Sequence, residues 1–579
     1  MGDGKMNRFV LPTALAATCL AVLTLGRVEA DPSPHSKAPR PRLAVLIFFD
    51  QLRGDFLTRW EPLFGEDGFK RLQRKGTWFT NCHYPYALTV TGPGHASVAT
   101  GRTPREHGII SNEWYDRQSQ ASVNCVSFED AAGERFGRVP PPPQASDATD
   151  RKKAKGYGPA RLLAPTIADA LKLGTAGRGK VVSLSFKDRG AILPGGRQPD
   201  VCCWSDGSSG GFVTSLYYRE RLPDWVAAFN EERVADRWFG MMWERLRPDV
   251  DYDRWTGDDH GEGEGTGAFQ GRAFPHPLGF APLSLQTYYG ALYNSPYGNE
   301  LLLELALRGI EAEKLGQDDE PDLLCLSFSC NDAVGHTWGP DSHEVLDATL
   351  RTDRIVARLL QNLDRLVGDN HYVVALTADH GVCPLPEAAR PLGINSARVT
   401  LGRADAELER RLTAKFGSPS EKQRWIESRS GPWYYLNLRL IERLGLSSAE
   451  VEQVVADFLA QQPGIEAAYT REQLARQDLD PHRAAVKNST HAERAGEVYV
   501  LHKPYHLVMG PVGTSHGSPY DYDTHVPLLL YGCGVRAGMR EERITPLAAA
   551  GLLAHSLGIS PPPEAEELNL SDVFVEANR

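Results

Sequence analysis

The sequence predicts an α/β fold: a central, mostly parallel sheet flanked by helices, with inserted cap segments. Three observations carry that expectation. The run Leu43-Ala-Val-Leu-Ile-Phe-Phe ends in Asp50, and two later segments share its grammar, one from Asp322 to Asp332 and one from Tyr372 to Asp379-His380. Continuous apolar runs of this length suit strands buried on both faces, which is the condition of a parallel sheet. Between the last two, residues 343–367 place Val345, Leu346, Leu350, Ile355, Leu359, Leu360 and Leu363 on one stripe at helical spacing. Strand, helix, strand over 322–378 then reads as a crossover unit.

Composition narrows the class. With 579 residues, 41% hydrophobic and 24% charged, the chain is neither disordered nor a multispan membrane protein. Its 63 basic and 74 acidic side chains leave a net charge of −11, which argues against a nucleic-acid-binding surface. A small anionic substrate stays compatible, because a local metal cluster can invert the sign of the field.

Taken in order, the first thirty residues read as a signal peptide. Lys5 and Arg8 precede an uncharged run from Phe9 to Gly26, and Val28-Glu29-Ala30 resembles a small-x-small cleavage site. This predicts export to the periplasm or the outside, with no stable membrane association after cleavage. An uncleaved N-terminal membrane anchor is the alternative, since the run just reaches spanning length; Pro12 and the small-residue exit favour cleavage. Residues 31–42, with four prolines, read as a flexible tether. Residues 43–579 then form one large domain with insertions near 115–160, 204–300 and 388–510. The 138–160 stretch is a Pro-, Ser- and Lys-rich loop, 204–300 an elaboration over the sheet, and 388–510 a mixture of short helices with the strand-like Glu497-Val-Tyr-Val-Leu501. Of nine cysteines, Cys19 lies in the leader; the others include no C-x-x-C pair and read as buried thiols with at most one or two bridges.

The chemistry is concentrated in aspartates and histidines at strand ends. In open α/β sheets ligands gather beyond the carboxyl ends of strands, so Asp50, Asp332 and Asp379 suggest one site. His380 is followed by Gly381, and a tight glycine turn lets adjacent side chains converge. Asp332 and His336 are four apart in what reads as another glycine-containing strand exit, and His516 sits in Gly-Thr-Ser-His-Gly-Ser. Singly, each has a plainer reading as a cap or loop residue. Together, three carboxylates and three imidazoles suit zinc or another divalent first-row ion. In Leu88-Thr-Val-Thr91-Gly-Pro-Gly-His, a sharp turn into a helix puts Thr91 at a helix N-terminus, where free N–H groups and the dipole favour an anion. Its hydroxyl is a nucleophile only if a metal or base activates it; otherwise it is an N-cap.

The succession Asp50, Thr91 before Gly-Pro, Asn112 in His107-Gly-Ile-Ile-Ser-Asn112, Asp332/His336, Asp379/His380 and His516 resembles the alkaline phosphatase superfamily, in its phosphodiesterase/nucleotide pyrophosphatase-like branch. Within that branch Ser185-Phe-Lys187-Asp-Arg189-Gly-Ala-Ile-Leu-Pro is similar to the phosphate-irrepressible alkaline phosphatases of the PafA type. The resemblance spans about 43–560 and implies an alkaline phosphatase-like catalytic domain with two zinc ions. One ion would be held by Asp332, His336 and His516, the other by Asp50, Asp379 and His380 with Thr91 bound to it as the attacking oxygen. Asn112, Lys187 and Arg189 would hold the phosphate. Lys187 and Arg189 match the extra oxygen and charge of a monoester, Lys as a point charge and Arg as a planar fork. The implied function is an exported phosphate monoesterase acting on small phosphate esters through a phosphothreonine. A phosphodiesterase or nucleotide pyrophosphatase is the alternative. A sulfatase is disfavoured because Thr91 cannot become formylglycine. His95, His107 and His525 read as hydrogen-bonded structural residues beside the site. The physiological ester and the oligomeric state are not specified by the sequence.

Overall fold

Leu43–Phe49 forms a strand with all seven residues buried, and it lies at the centre of a ten-stranded sheet. In this computed structural model, residues 40–129, 137–139, 156–417, 423–567, 569 and 572–575 are described. The leader, most of the tether and most of the 138–160 loop lie outside them. The principal strands are β1 (Leu43–Phe49), β2 (Val181–Ser185), β3 (Val201–Ser205), β4 (Asp322–Phe328), β5 (Tyr372–Thr377) and β6 (Leu528–Gly532). They stand in the order β6-β5-β1-β4-β2-β3. The five from β5 to β3 are parallel, and β6 runs antiparallel against β5. Short strands extend both edges: Thr77–Phe79 and Gly538–Arg540 beyond β6, Phe212–Ser215 and Arg138–Val139 beyond β3. The segment predicted to lie over the sheet therefore contributes a strand to it, before turning into helices Asp224–Glu231 and Leu285–Tyr293.

Register decides where the strand-end acids arrive. Leu43 lies opposite both Asp322 and Tyr372, and Phe48 opposite both Ser327 and Thr377. Three adjacent parallel strands in step finish level, so the residues after Phe49, Phe328 and Thr377 emerge along one rim. Four helices start there or pack behind it: α1 (Thr91–Thr100), α2 (Asp188–Gly195), α3 (Cys330–Trp338) and α4 (His343–Leu366). The stripe predicted for α4 is buried, from Val345 to Leu363, and Ser342 caps it by accepting from Val345 N–H at 3.2 Å.

One local expectation is corrected. Asp332 and His336 do not leave a strand through a glycine turn; β4 stops at Phe328, and both residues lie on α3. At a spacing of four they share one helix face.

The 388–510 insertion contains a four-stranded antiparallel sheet in the order Ile426–Ser430, Trp433–Leu436, Val498–His502, Ile465–Thr470. Strand alternation splits its side chains between two apolar clusters. Tyr434, Leu436, Val498 and Val500 pack with Leu408, Leu412, Val455 and Leu459 of the lobe's own helices. Trp433, Tyr435, Tyr499 and Leu501 face the other way and pack with Trp114, Ile109 and Ile192 of the main body. Each fully buried side chain of this size is worth about 1.5–3 kcal/mol, so the lobe is both internally cored and seated. All eight cysteines after the leader are buried, and among the described residues none of them forms a disulfide. Among those residues no helix is long and apolar enough to cross a membrane.

Candidate active site

Asp50 follows β1 directly, Asp379 and His380 follow β5, and Lys187 follows β2 as the residue that caps α2. Thr91 is the first residue of α1, whose N-cap is Val90; its hydroxyl is thus not used as the cap. The close approach of α1 to the β5 exit requires Gly94, because any Cβ there would collide with the Asp379 backbone. His516 enters from the loop before β6.

The three histidines are oriented identically. His336 Nδ1 faces the Thr514 carbonyl at 2.7 Å, His380 Nδ1 the Gly381 carbonyl at 2.9 Å, and His516 Nδ1 the Thr89 carbonyl at 2.8 Å. A carbonyl oxygen only accepts, so each Nδ1 carries the proton and each Nε2 presents a lone pair. Those lone pairs converge on carboxylates. His380 Nε2 lies 3.4 Å from Asp50 Oδ1 and 3.5 Å from Asp379 Oδ2. His336 Nε2 lies 3.1 Å and His516 Nε2 3.6 Å from Asp332 Oδ1.

Lone pairs facing carboxylate oxygens in a buried site need a cation between them. Asp50 Oδ1, Asp379 Oδ2 and His380 Nε2 are all buried and lack a hydrogen-bond partner, an arrangement that is costly unless an ion fills it. Ligand atoms of Asp50, Asp379 and His380 lie within 4.8 Å of one another, and so do those of Asp332, His380 and His516. The donor set of imidazole nitrogens and carboxylate oxygens fits divalent first-row metals. His380 belongs to both groups. His336 approaches through Asp332, its ring 5.0 Å from that of His516.

Lys187 joins the halves. Its ammonium is 2.6 Å from Asp50 Oδ2, 2.7 Å from Asp332 Oδ2 and 3.3 Å from Thr91 Oγ1. Burial opposes its charge, but Asp332 and Asp50 outweigh that and hold its pKa up. Burial, then the charges of Asp332 and Asp379, push Asp50 well above the usual carboxylate range despite Lys187. Burial also opposes ionisation of Asp332, yet His336, when its Nε2 is protonated, and Lys187 keep it well below that range. Asn112 accepts from the Gly92 N–H at 2.6 Å, so what its carboxamide can still offer an anion is its NH2 group. Arg189 shares with Lys187 and Tyr293 the lining of a cavity of about 660 Å3. Its Nη1 stands 3.6 Å from Asp188, and its Nε is buried without a partner.

Two neighbours were not singled out by sequence. Gln51 donates from its backbone N–H to Asp379 Oδ1 at 3.2 Å and from its side-chain amide to Asp332 Oδ1 at 2.7 Å. Ser327, inside β4, meets His95 Nε2 at 2.8 Å, while His95 Nδ1 faces the Thr91 carbonyl at 2.9 Å. His107 and His525 are hydrogen-bonded to Ser97 and to the Thr80 carbonyl.

A parallel sheet delivering metal-type ligands, a helix-borne threonine and a lysine to one rim fits a class: hydrolases of the alkaline phosphatase superfamily, with a ligand cluster suited to a divalent cation. The family model for type I phosphodiesterase / nucleotide pyrophosphatase matches residues 44–521, and the chain belongs to that family. It is 32% identical over 504 residues to alkaline phosphatase PafA of Elizabethkingia meningoseptica, covering 86% of this chain and 88% of that protein. It is 32% identical over 514 residues to alkaline phosphatase PhoV of Synechococcus elongatus, covering 88% and 89%. The crystal structure of wild-type PafA matches with a TM-score of 0.83 at 30% identity, covering 93% of this chain and all of that one. The protein is thus an enzyme, a phosphoester hydrolase of the alkaline phosphatase type.

Proposed function

We propose that the protein is an exported two-zinc phosphate monoesterase that uses Thr91 as its nucleophile. The observation that carries this reading is the position of Lys187, with its ammonium 3.3 Å from Thr91 Oγ1 and the Arg189 fork lining the same cavity. A monoester has one more non-bridging oxygen and nearly one more charge than a diester. A fixed ammonium beside the nucleophile, with a guanidinium lining the same cavity as that ammonium, is matched to that excess.

Asp50, Asp379 and His380 would hold one ion, and Asp332, His336 and His516 the other. When bound, such a pair supplies the positive charge that makes an alkoxide and a hydroxide accessible near neutral pH. The chain's own residues do the rest. Thr91 Oγ1 attacks phosphorus as the bond to the leaving alcohol breaks, giving phosphothreonine and the free alcohol. Water then attacks the same phosphorus, the Thr91–phosphorus bond breaks, and inorganic phosphate leaves. Lys187 and the Asn112 NH2 hold the phosphoryl oxygens while the N-terminus of α1 faces the developing charge.

Acid quenching during steady-state turnover should trap one phosphoryl group on Thr91, read by peptide mass. Thr91→Ala should lose that adduct and turnover together while keeping its metal. Undiminished turnover in Thr91→Ala would move the nucleophile elsewhere. Export is supported by the charged start, apolar run and small-residue exit of residues 1–30. The secreted chain should begin at Asp31, and an unprocessed Met1 start in the mature protein would count against it.

A further inference from the structure

A cavity of about 470 Å3 opens between the loop carrying His516 and the inserted lobe, a size typical of small-molecule sites. Its lobe wall presents Arg429, His502, Lys503 and His506. Among the described residues the Lys503 ammonium makes no hydrogen bond or ion pair. Arg429 lies over the Tyr434 ring at 5.5 Å and meets Asp405 at 3.3 Å through one terminal nitrogen. His502 Nε2 is buried without a partner, and burial, then the Arg429 and His506 charges, hold its pKa down at about 4. His506 sets Nδ1 against the Pro504 carbonyl at 2.8 Å. The acid on the opposite wall, Asp523, accepts at one oxygen from Gly517 N–H, Ser518 N–H and the Ser518 hydroxyl at 3.0, 2.9 and 2.6 Å. The cleft thus offers an unpaired ammonium, a stacked guanidinium and an unpartnered imidazole nitrogen, in a chain whose net charge is −11.

From this arrangement we infer that the cleft binds a second phosphate carried by the leaving alcohol, so that the enzyme favours esters whose alcohol portion is itself phosphorylated. The inference rests on the monoesterase reading above. His516 lines the cavity from the reaction centre and the cations line it from the lobe, so on this inference the lobe reads the alcohol portion of the substrate. A remote dianion meeting one or two charge-assisted donors gains about tenfold in binding. Being electrostatic and only partly enclosed, that gain shrinks as salt rises.

The test compares kcat/KM for 1,4-butanediol monophosphate and 1,4-butanediol bisphosphate at low ionic strength, corrected for the two equivalent ends. The bisphosphate should be favoured by about tenfold. Lys503→Ala, and Lys503→Met with its stem retained, should each cut that ratio at least threefold, and added salt should erode it. Equal rates in the parent enzyme, or a ratio untouched by both variants, would overturn the inference. Failure to hydrolyse either diol phosphate would instead sink the monoesterase reading. Calorimetry on Thr91→Ala then decides the cleft separately: tighter binding of the bisphosphate, lost with Lys503→Ala added, supports it, and equal affinity overturns it.

Discussion

Gln51 stands at φ +69°, in the left-handed region that a non-glycine residue enters at a cost of about 1–3 kcal/mol. In that conformation its backbone N–H reaches Asp379 and its amide reaches Asp332, so one residue aims a carboxylate in each half of the site. The strain is offset by orienting ligands that would otherwise rotate. Gln51→Ala should weaken divalent-metal binding by about 10–100-fold, the range for losing an orienting partner, as measured by chelator competition. Unchanged affinity would reduce Gln51 to a packing residue. Nothing in the sequence marks it, because its role depends on a backbone dihedral and on a partner 281 positions away. Asp50, Asp379 and His380 were legible because a strand-end acid or imidazole is a local feature, and Thr91 because Gly-Pro forces a helix start. Which histidine pairs with which acid is set by ring orientation, and for His336 and His516 that depends on backbone carbonyls brought in from distant loops.

At the scale of the element, α3 was misread for a physical reason. Its glycine, Gly335, weakens helix propensity by about 1 kcal/mol relative to alanine, and so disguises Asp332 and His336 as a turn. A Cβ there would collide with the Gln51 amide oxygen. Gly335→Ala should therefore impair metal binding in the parent enzyme but much less in a Gln51→Ala background, a non-additivity that a double-mutant cycle measures. Independent effects would deny the contact any importance. Earlier in the chain, His107 ties its short helix to α1 through Ser97 at 2.9 Å. Burial, then the Arg494 charge, drive its pKa down to about 3. Since the folded state refuses a proton that the unfolded state accepts below about 6.5, stability is fully present above that pH and declines as pH falls toward 3. Between pH 7 and pH 5 the urea-unfolding free energy should drop by about 2 kcal/mol from this group, and His107→Gln should remove that part of the slope. An unaltered slope would place the titration elsewhere.

Over the whole molecule, the fold follows from strands in step. Because β1 pairs in register with both β4 and β5, residues far apart in sequence reach one rim, and the apolar runs that make those strands are the same features that made the sheet legible. The strands of the inserted lobe were legible only at 497–501. They come from three separated stretches, Ile426–Ser430 and Trp433–Leu436 forming one hairpin, and the two central strands, Trp433–Leu436 and Val498–His502, are apolar on both faces, since one face covers the lobe's helices and the other the main body. No alternation remains to betray them. Lys187 and Arg189 line one cavity at the rim, and His516 lines another that the inserted lobe walls on its other side.

The most direct test of this account is kcat/KM for an aryl phosphate monoester against the matching methyl aryl diester, with Thr91→Ala as the blank. Two charge-assisted contacts reserved for the monoester predict a preference of at least about a hundredfold, and Lys187→Ala with Arg189→Ala should remove most of it. A diester preference, or equal losses on both substrates in that double variant, would leave the fold and the ligand cluster in place and contradict the assignment of a monoesterase.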